Sequence, residues 1–125
     1  MKVAGIGFRR AATAADLQAA LALTGERVDA LASIAQKADA PAMQEFARSL
    51  GLPVISLQEQ DIAGEQTLTC SPRIKARFGT GSLAEAAALA GARHGVKGAR
   101  ARLVSPRVVT ADGLATAAIA ERLEP

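Results

Sequence analysis

Apolar and polar positions change their spacing along the chain in a regular order. Val3-Ala4-Gly5-Ile6 is a short apolar run, which predicts a first strand closing in a glycine-rich turn at Gly5-Ile6-Gly7. Thr13-Ala14-Ala15-Asp16 pairs a hydroxyl with a carboxylate in a variant of the capping box, and opens an Ala/Leu-rich helix that stops near Gly25. Val28, Ala30, Ala32 and Ile34 then alternate, which reads as a second strand over 28–35. The next helix is expected from near Asp39 to Gly51, with Pro41 in its first turn and Met43, Phe46, Ala47 and Leu50 on its apolar face. Leu52 to Leu57 is apolar enough for a third strand buried on both faces. Strands separated by helices and short loops imply right-handed parallel crossovers.

The second half is patterned differently. A polar stretch from Gln58 to Gln66, with room for a short helix, is followed by Thr67 to Arg77 and then by Gly79-Thr80-Gly81, which leads into a helix from Ser82 to about Ala92. Residues 99–109 and 114–120 read as strands joined through Thr110-Ala111-Asp112-Gly113, and Asp-Gly between such segments is a strong hairpin signal. The expected fold is α/β: a three-layer α/β/α sandwich with a mixed sheet, parallel in its first half and ending in an antiparallel C-terminal hairpin. A chain of 125 residues suits a single domain over 1–125.

Composition sharpens this picture at three points. Thirty residues are alanine and the three Phe are the only aromatics, so helices are expected to pack close to the sheet. No apolar run approaches the ~18 residues of a membrane span, and Met1-Lys2 followed by Val3-Ala4-Gly5 lacks the apolar core of a secretory signal, so a cytoplasmic protein is expected. One cysteine, Cys70, and one histidine, His94, allow neither an internal disulfide nor a zinc constellation, and no metal is expected. Cys70 reads as a small buried hydrophobe, and His94 as a structural residue at a helix end.

Charge is uneven. The net charge is +3, yet residues 71–107 hold eight Lys/Arg against Glu85 alone. Arg73, Lys75, Arg77, Arg93, Lys97, Arg100, Arg102 and Arg107 form either a solvated surface or an attractor for an anionic ligand. A nonspecific anion or RNA binder is a weaker alternative, because few aromatics are available for base stacking and nucleic-acid-binding modules are lacking.

Candidate chemistry is sparse. Arg10 stands where the third glycine of a dinucleotide fingerprint belongs, so no nicotinamide or flavin cofactor is expected. Gly5 and Gly7 followed by Arg9 and Arg10, ahead of a helix amino terminus, could hold a carboxylate or phosphate, or could be a tight turn with solvated arginines. Lys37, after the second strand, lies where α/β sheets place ligand-binding groups. Ser71 precedes Lys75 in a polar loop. Gly79 and Gly81 let the backbone approach a bound group, while Ser82 and Glu85 form a capping box. One histidine excludes a Ser-His-Asp triad, and Glu85 lacks the second carboxylate or His of an acid/base pair.

The order of these pieces is more specific than any one of them. The start Val3 to Arg10, Ile34-Ala35-Gln36-Lys37-Ala38-Asp39, Leu50-Gly51-Leu52-Pro53, the block Gly79 to Leu89, and Leu114 to Ala120 resemble the cobalamin biosynthesis family of CobE and the C-terminal domain of CbiG. The resemblance covers nearly the whole chain. It implies a protein that binds or helps to process a carboxylated corrin or precorrin intermediate, with other cobalamin-pathway enzymes as further partners. Together with the loop and charge patterns above, the candidate ligand-binding residues are Gly5, Gly7, Arg9, Arg10, Lys37, Ser71, Lys75, Gly79, Gly81, Ser82, Glu85 and Arg107. CbiG opens a precorrin lactone and releases acetaldehyde, so the alternative is a hydrolase with Glu85 positioning water. The present chain corresponds to the one domain only, which favours a CobE-like binding role.

Overall fold

The computed structural model describes residues 1–123. Strands β1 (Lys2–Phe8), β2 (Ala30–Ile34) and β3 (Val54–Leu57) run parallel, with Val3 opposite Ala30 and Leu31 opposite Val54. Helices α1 (Ala14–Thr24) and α3 (Pro41–Leu50) return the chain, and a single turn, α2 (Ala35–Ala38), follows β2. The α1 capping box forms as expected: Thr13 Oγ1 accepts from Asp16 N, and Asp16 Oδ2 accepts from Thr13 N at 2.8 Å. Leu17 and Leu21 of α1 and Met43 and Phe46 of α3 bury against Ala4, Ile6 and Leu31 of the sheet.

Short helices α4 (Glu59–Ile62) and α5 (Pro72–Phe78) precede α6 (Leu83–Arg93) and the hairpin of β4 (Arg100–Val109) and β5 (Ala115–Leu123). Strand β5 pairs antiparallel with both β1 and β4, giving the order β3-β2-β1-β5-β4 among the described residues. Helix α6 covers the face opposite α1 and α3, so the three layers and the mixed sheet are as the sequence predicts. No helix among the described residues is long and apolar enough to cross a membrane.

Two expectations are corrected. Leu52 to Leu57 is not buried on both faces: β3 lies at the sheet edge, Val54 and Ile55 are half-buried, Ser56 is exposed and only Leu57 is fully covered. Gly5 and Gly7 do not make a turn, because β1 continues to Phe8 and keeps them in extended pairing with β5 opposite Ala118 and Thr116. Their use is proximity. A Cβ on Gly5 would overlap the Ala84 carbonyl oxygen and stand 2.5 Å from Ala88 N, both backbone atoms of α6. On Gly91, within α6, it would stand 2.8 Å from the Ala32 methyl.

The hairpin turn is held locally. Asp112 Oδ1 accepts from Thr110 Oγ1 at 2.6 Å and from Leu114 N at 2.9 Å, while Gly113 takes a φ of 75° that other residues rarely adopt.

Gly5→Ala should cost at or above the upper end of the ~1–3 kcal/mol typical of overpacking, because α6 backbone must move, whereas Gly7→Ala meets only the rotatable Thr116 hydroxyl and should cost far less. Urea unfolding of both variants checks the order, and equal losses would contradict it. The bond from Thr110 first, and that from Leu114 next, hold the Asp112 carboxyl below its ordinary value of 3.8. A depressed carboxyl adds stability above its unfolded value and loses it as pH falls through the folded one. Asp112→Asn should therefore be less stable than the parent at neutral pH, with the difference shrinking below about pH 4 in thermal melts across that range.

Candidate functional site

The carboxyl ends of β1, β2 and β3 lie along one edge of the sheet, where open α/β sheets place their ligands. Phe8 closes β1, and the exposed Arg9 and Arg10 follow. Arg9 is tied to the hairpin turn through its N–H to Leu114 O at 2.9 Å and its Nε to Gly113 O at 3.3 Å. The turn of α2 brings Lys37 Nζ to 4.9 Å from the Phe8 ring centroid, a cation–π distance. Helix α6 starts at the same edge, so Leu83 and Ala87 join Gly7, Phe8, Ser33 and Lys37 around a cleft of about 50 Å³. Thr116 Oγ1 donates to Gly7 O at 3.2 Å, and Ser33 Oγ donates to Ile6 O at 2.8 Å, which fixes the strand ends. So small a cleft admits a side arm and no ring. Gly5 lies apart from it, buried beneath α6.

A strap of residues 63–71 crosses beside the start of α6. Gly64 N–H donates to Gly79 O, Thr80 Oγ1 donates to Glu65 O, and Ser71 N–H donates to Gly81 O at 2.8 Å. Ser71 also caps α5, its Oγ accepting from Ile74 N, and Gly79 ends that helix with a φ of 75°. Gly81 lies under the strap, where a Cβ would come within 2.6 Å of Thr67 Oγ1 and 2.8 Å of Thr69 O. On one side of the strap a cleft of about 440 Å³ is lined by Thr67, Cys70, Lys75 and Gly81, and on the other a cleft of about 610 Å³ by Leu68, Leu89, Arg93 and Leu103. Cys70 is exposed, contrary to the buried hydrophobe expected of it, because the strap rides over the helix and leaves its outer side to solvent.

The Ser82–Glu85 capping box forms by half. Ser82 Oγ accepts from Glu85 N at 3.2 Å, but the Glu85 carboxylate does not return to the Ser82 N–H. It turns inward and is fully buried. Its Oε1 accepts from Thr69 N at 2.9 Å and its Oε2 from Arg107 N at 2.8 Å. The Arg107 N–H is available because β4 breaks register with β5 between Ser105 and Val108, and a bulge re-aims the backbone. Thr69 Oγ1 and Arg107 Nε are buried with no hydrogen-bond partner among the described residues. A carboxylate held by two backbone N–H groups with no exposure to solvent is out of reach of a substrate-bound water.

Ion pairing sorts the basic block. Arg77, Arg93 and Arg102 pair with Glu59, Glu65 and Glu121, acids that lie outside it. Arg9, Arg10, Lys37, Lys75 and Arg107 pair with no acid among the described residues. Arg73, Lys97 and Arg100 are likewise without an acidic partner among the described residues, but Arg9 and Arg10 follow the end of β1, Lys37 lines the small cleft with Leu83, and the Arg107 N–H meets Glu85 in the first turn of α6. Ser71, Lys75 and Gly79 gather instead on the α5 side of the strap. His94 is exposed and meets the end of α6 through its backbone N–H to Gly91 O.

Sequence reasoning passed over Phe8 and Thr69. An aromatic closing an otherwise small-residue strand was a usable signal for Phe8. Nothing local marked Thr69, whose partner lies sixteen residues away.

Comparison with curated protein sequences returns no match. Among solved structures, the chain is similar to CobE, a protein from the cobalamin (vitamin B12) biosynthetic pathway, at 36% identity and a TM-score of 0.81, covering 99% of this chain and 91% of that one. It is also similar to cobalamin biosynthesis protein chiG from Agrobacterium tumefaciens, at 34% identity and a TM-score of 0.68, covering 97% of this chain and 98% of that one. The family model described as cobalamin synthesis G C-terminus matches residues 2–120, and with the fold and strand-end site arranged as above the chain belongs to that family of cobalamin biosynthesis proteins.

Proposed function

We propose that the chain binds a polycarboxylated corrin precursor at the carboxyl edge of β1–β3 and holds it for the next enzyme of the pathway. The observation that carries this reading is that Arg9 and Arg10 after β1, Lys37 after β2 and Arg107 beside the first turn of α6 have no acidic partner among the described residues. Corrin precursors are rigid, apolar-faced rings fringed by acetate and propionate arms. Such a ring lies across the rim of the small cleft, with its face toward Phe8 and Leu83, while its arms reach the surrounding cations. Binding rather than hydrolysis is favoured because Glu85, the one acid of the basic block, is fully buried and held by two backbone N–H groups.

Exposed charges attract through water, so salt screens them. Absorbance titration with cobyrinic acid, a carboxylated corrin, should give a Kd that rises between low and high ionic strength. A Kd independent of salt would remove the electrostatic basis of the reading. Arg9→Ala together with Arg10→Ala should weaken binding about threefold per charge while moving the melting temperature little, since exposed charges contribute only ~1 kcal/mol or less to folding. An unchanged Kd in that double variant would place the ring elsewhere, with the clefts beside the strap as the next location.

A further inference from the structure

The junction around Glu85 joins three segments far apart in sequence: the strap, the start of α6 and the β4 bulge. Glu85 Oε1 takes the backbone N–H of Thr69 and Oε2 takes that of Arg107. These two residues are therefore held on one carboxylate, as neighbours at the amino terminus of an eleven-residue helix. Among the described residues, the same two own the side-chain polar atoms that are buried without a partner, Thr69 Oγ1 and Arg107 Nε. Buried polar groups are normally satisfied, and each exception calls for a reason. Both atoms can donate, and an arginine Nε–H can only donate. Glu85 does not supply the acceptor: its oxygens take the two backbone N–H groups, and neither side-chain atom has a partner among the described residues. What the junction lacks is one more acceptor of negative charge, beside a helix amino terminus and a guanidinium that makes no ion pair among the described residues.

We propose that Thr69 and Arg107 form a carboxylate-binding subsite, and that Glu85 is its positioning residue, fixing the spacing of the two donors without touching the ligand. The subsite takes one carboxylate arm, which enters between the strap and the bulge and accepts from the Arg107 guanidinium and the Thr69 hydroxyl. Arginine suits this place better than lysine, since its planar fork addresses both carboxylate oxygens. The assignment rests on the corrin reading above for the ligand's class, while the geometry asks only for a carboxylate.

The test is a set of titrations with cobyrinic acid and with its methyl ester, in which the arms carry no charge. Arg107→Lys keeps the charge and should weaken acid binding about tenfold, and Thr69→Val about fivefold, with Thr69→Ser restoring the parent value. Neither change should alter binding of the ester. Arg73→Ala removes an exposed cation outside the junction and should change Kd less than Arg107→Lys does, which separates contact from long-range attraction. Glu85→Gln should reproduce most of the loss in the folded protein, and adding it to Arg107→Lys should weaken binding little further, since both act on one contact. Melting curves report whether Glu85→Gln folds. If it does not, the threonine series and Arg107→Lys decide alone. Parent protein that binds cobyrinic acid, with Arg107→Lys and Thr69→Val unchanged, overturns the subsite and leaves the corrin reading intact. Parent protein that binds neither acid nor ester overturns both.

Discussion

Everything at the strand ends depends on how closely α6 lies on the sheet. Gly5 has no Cβ because α6 backbone occupies that space, and Gly91 has none because Ala32 and Val3 do. Between these two contacts the helix buries Ala84, Ala86, Ala87, Ala88 and Ala90 against sheet residues of which several are also alanine. No alanine contributes much alone. The sum over many close atom pairs is large, since dispersion falls steeply with each fraction of an ångström of separation. Small residues also remove freedom to slide: moving α6 along β1 would bring a Cβ onto the backbone that Gly5 now accommodates. The helix amino terminus is thereby fixed where β1 and β2 end, and Leu83 reaches the cleft beside Phe8 and Lys37.

The same tight seat explains a buried acid. Taking a carboxylate out of water costs several kcal/mol unless fixed donors replace the lost solvent. Here two backbone N–H groups do so, and the Glu85 position in the first turn of α6 adds the favourable end of the helix dipole. One of those N–H groups is free only because β4 bulges, and the other only because the strap is drawn in over Gly81. The bulge, the half-formed cap and the missing Cβ at Gly81 are three views of one arrangement.

This arrangement explains what the sequence could and could not reveal. Period and punctuation gave α1, α3, α6 and the hairpin, because Thr13-Asp16, Pro41, Gly51 and Asp112-Gly113 act locally. A Gly-x-Gly pair reads the same in a turn as in a strand under a helix, so its place in β1 could be decided only by α6, some eighty residues later. The apolar run ending at Leu57 could not announce that it has a neighbour on one side only. Ser82 and Glu85 have the spacing of a capping box, and only the presence of Thr69 and Arg107 turns the carboxylate away. Helix α5 stayed hidden because it buries no residue and leaves Ile74 and Phe78 merely half-covered. At the site, the basic block was legible as a sum, but which cations are spent on Glu59, Glu65 and Glu121 was not, since those acids lie outside it.

The cations at this edge differ in how far solvent screens them. Arg9 and Arg10 are exposed, so their attraction is spread through solvent, raises the encounter rate and adds little to residence time. Arg107 is half-covered and its Nε is buried, where a contact made with a ligand is stronger and slower to break. Differences in affinity among related complexes reside mostly in such dissociation steps. The closely packed base of this edge is α6 on β1. The strap is tied to that base through Glu65, Thr69 and Ser71 and is flanked by open clefts.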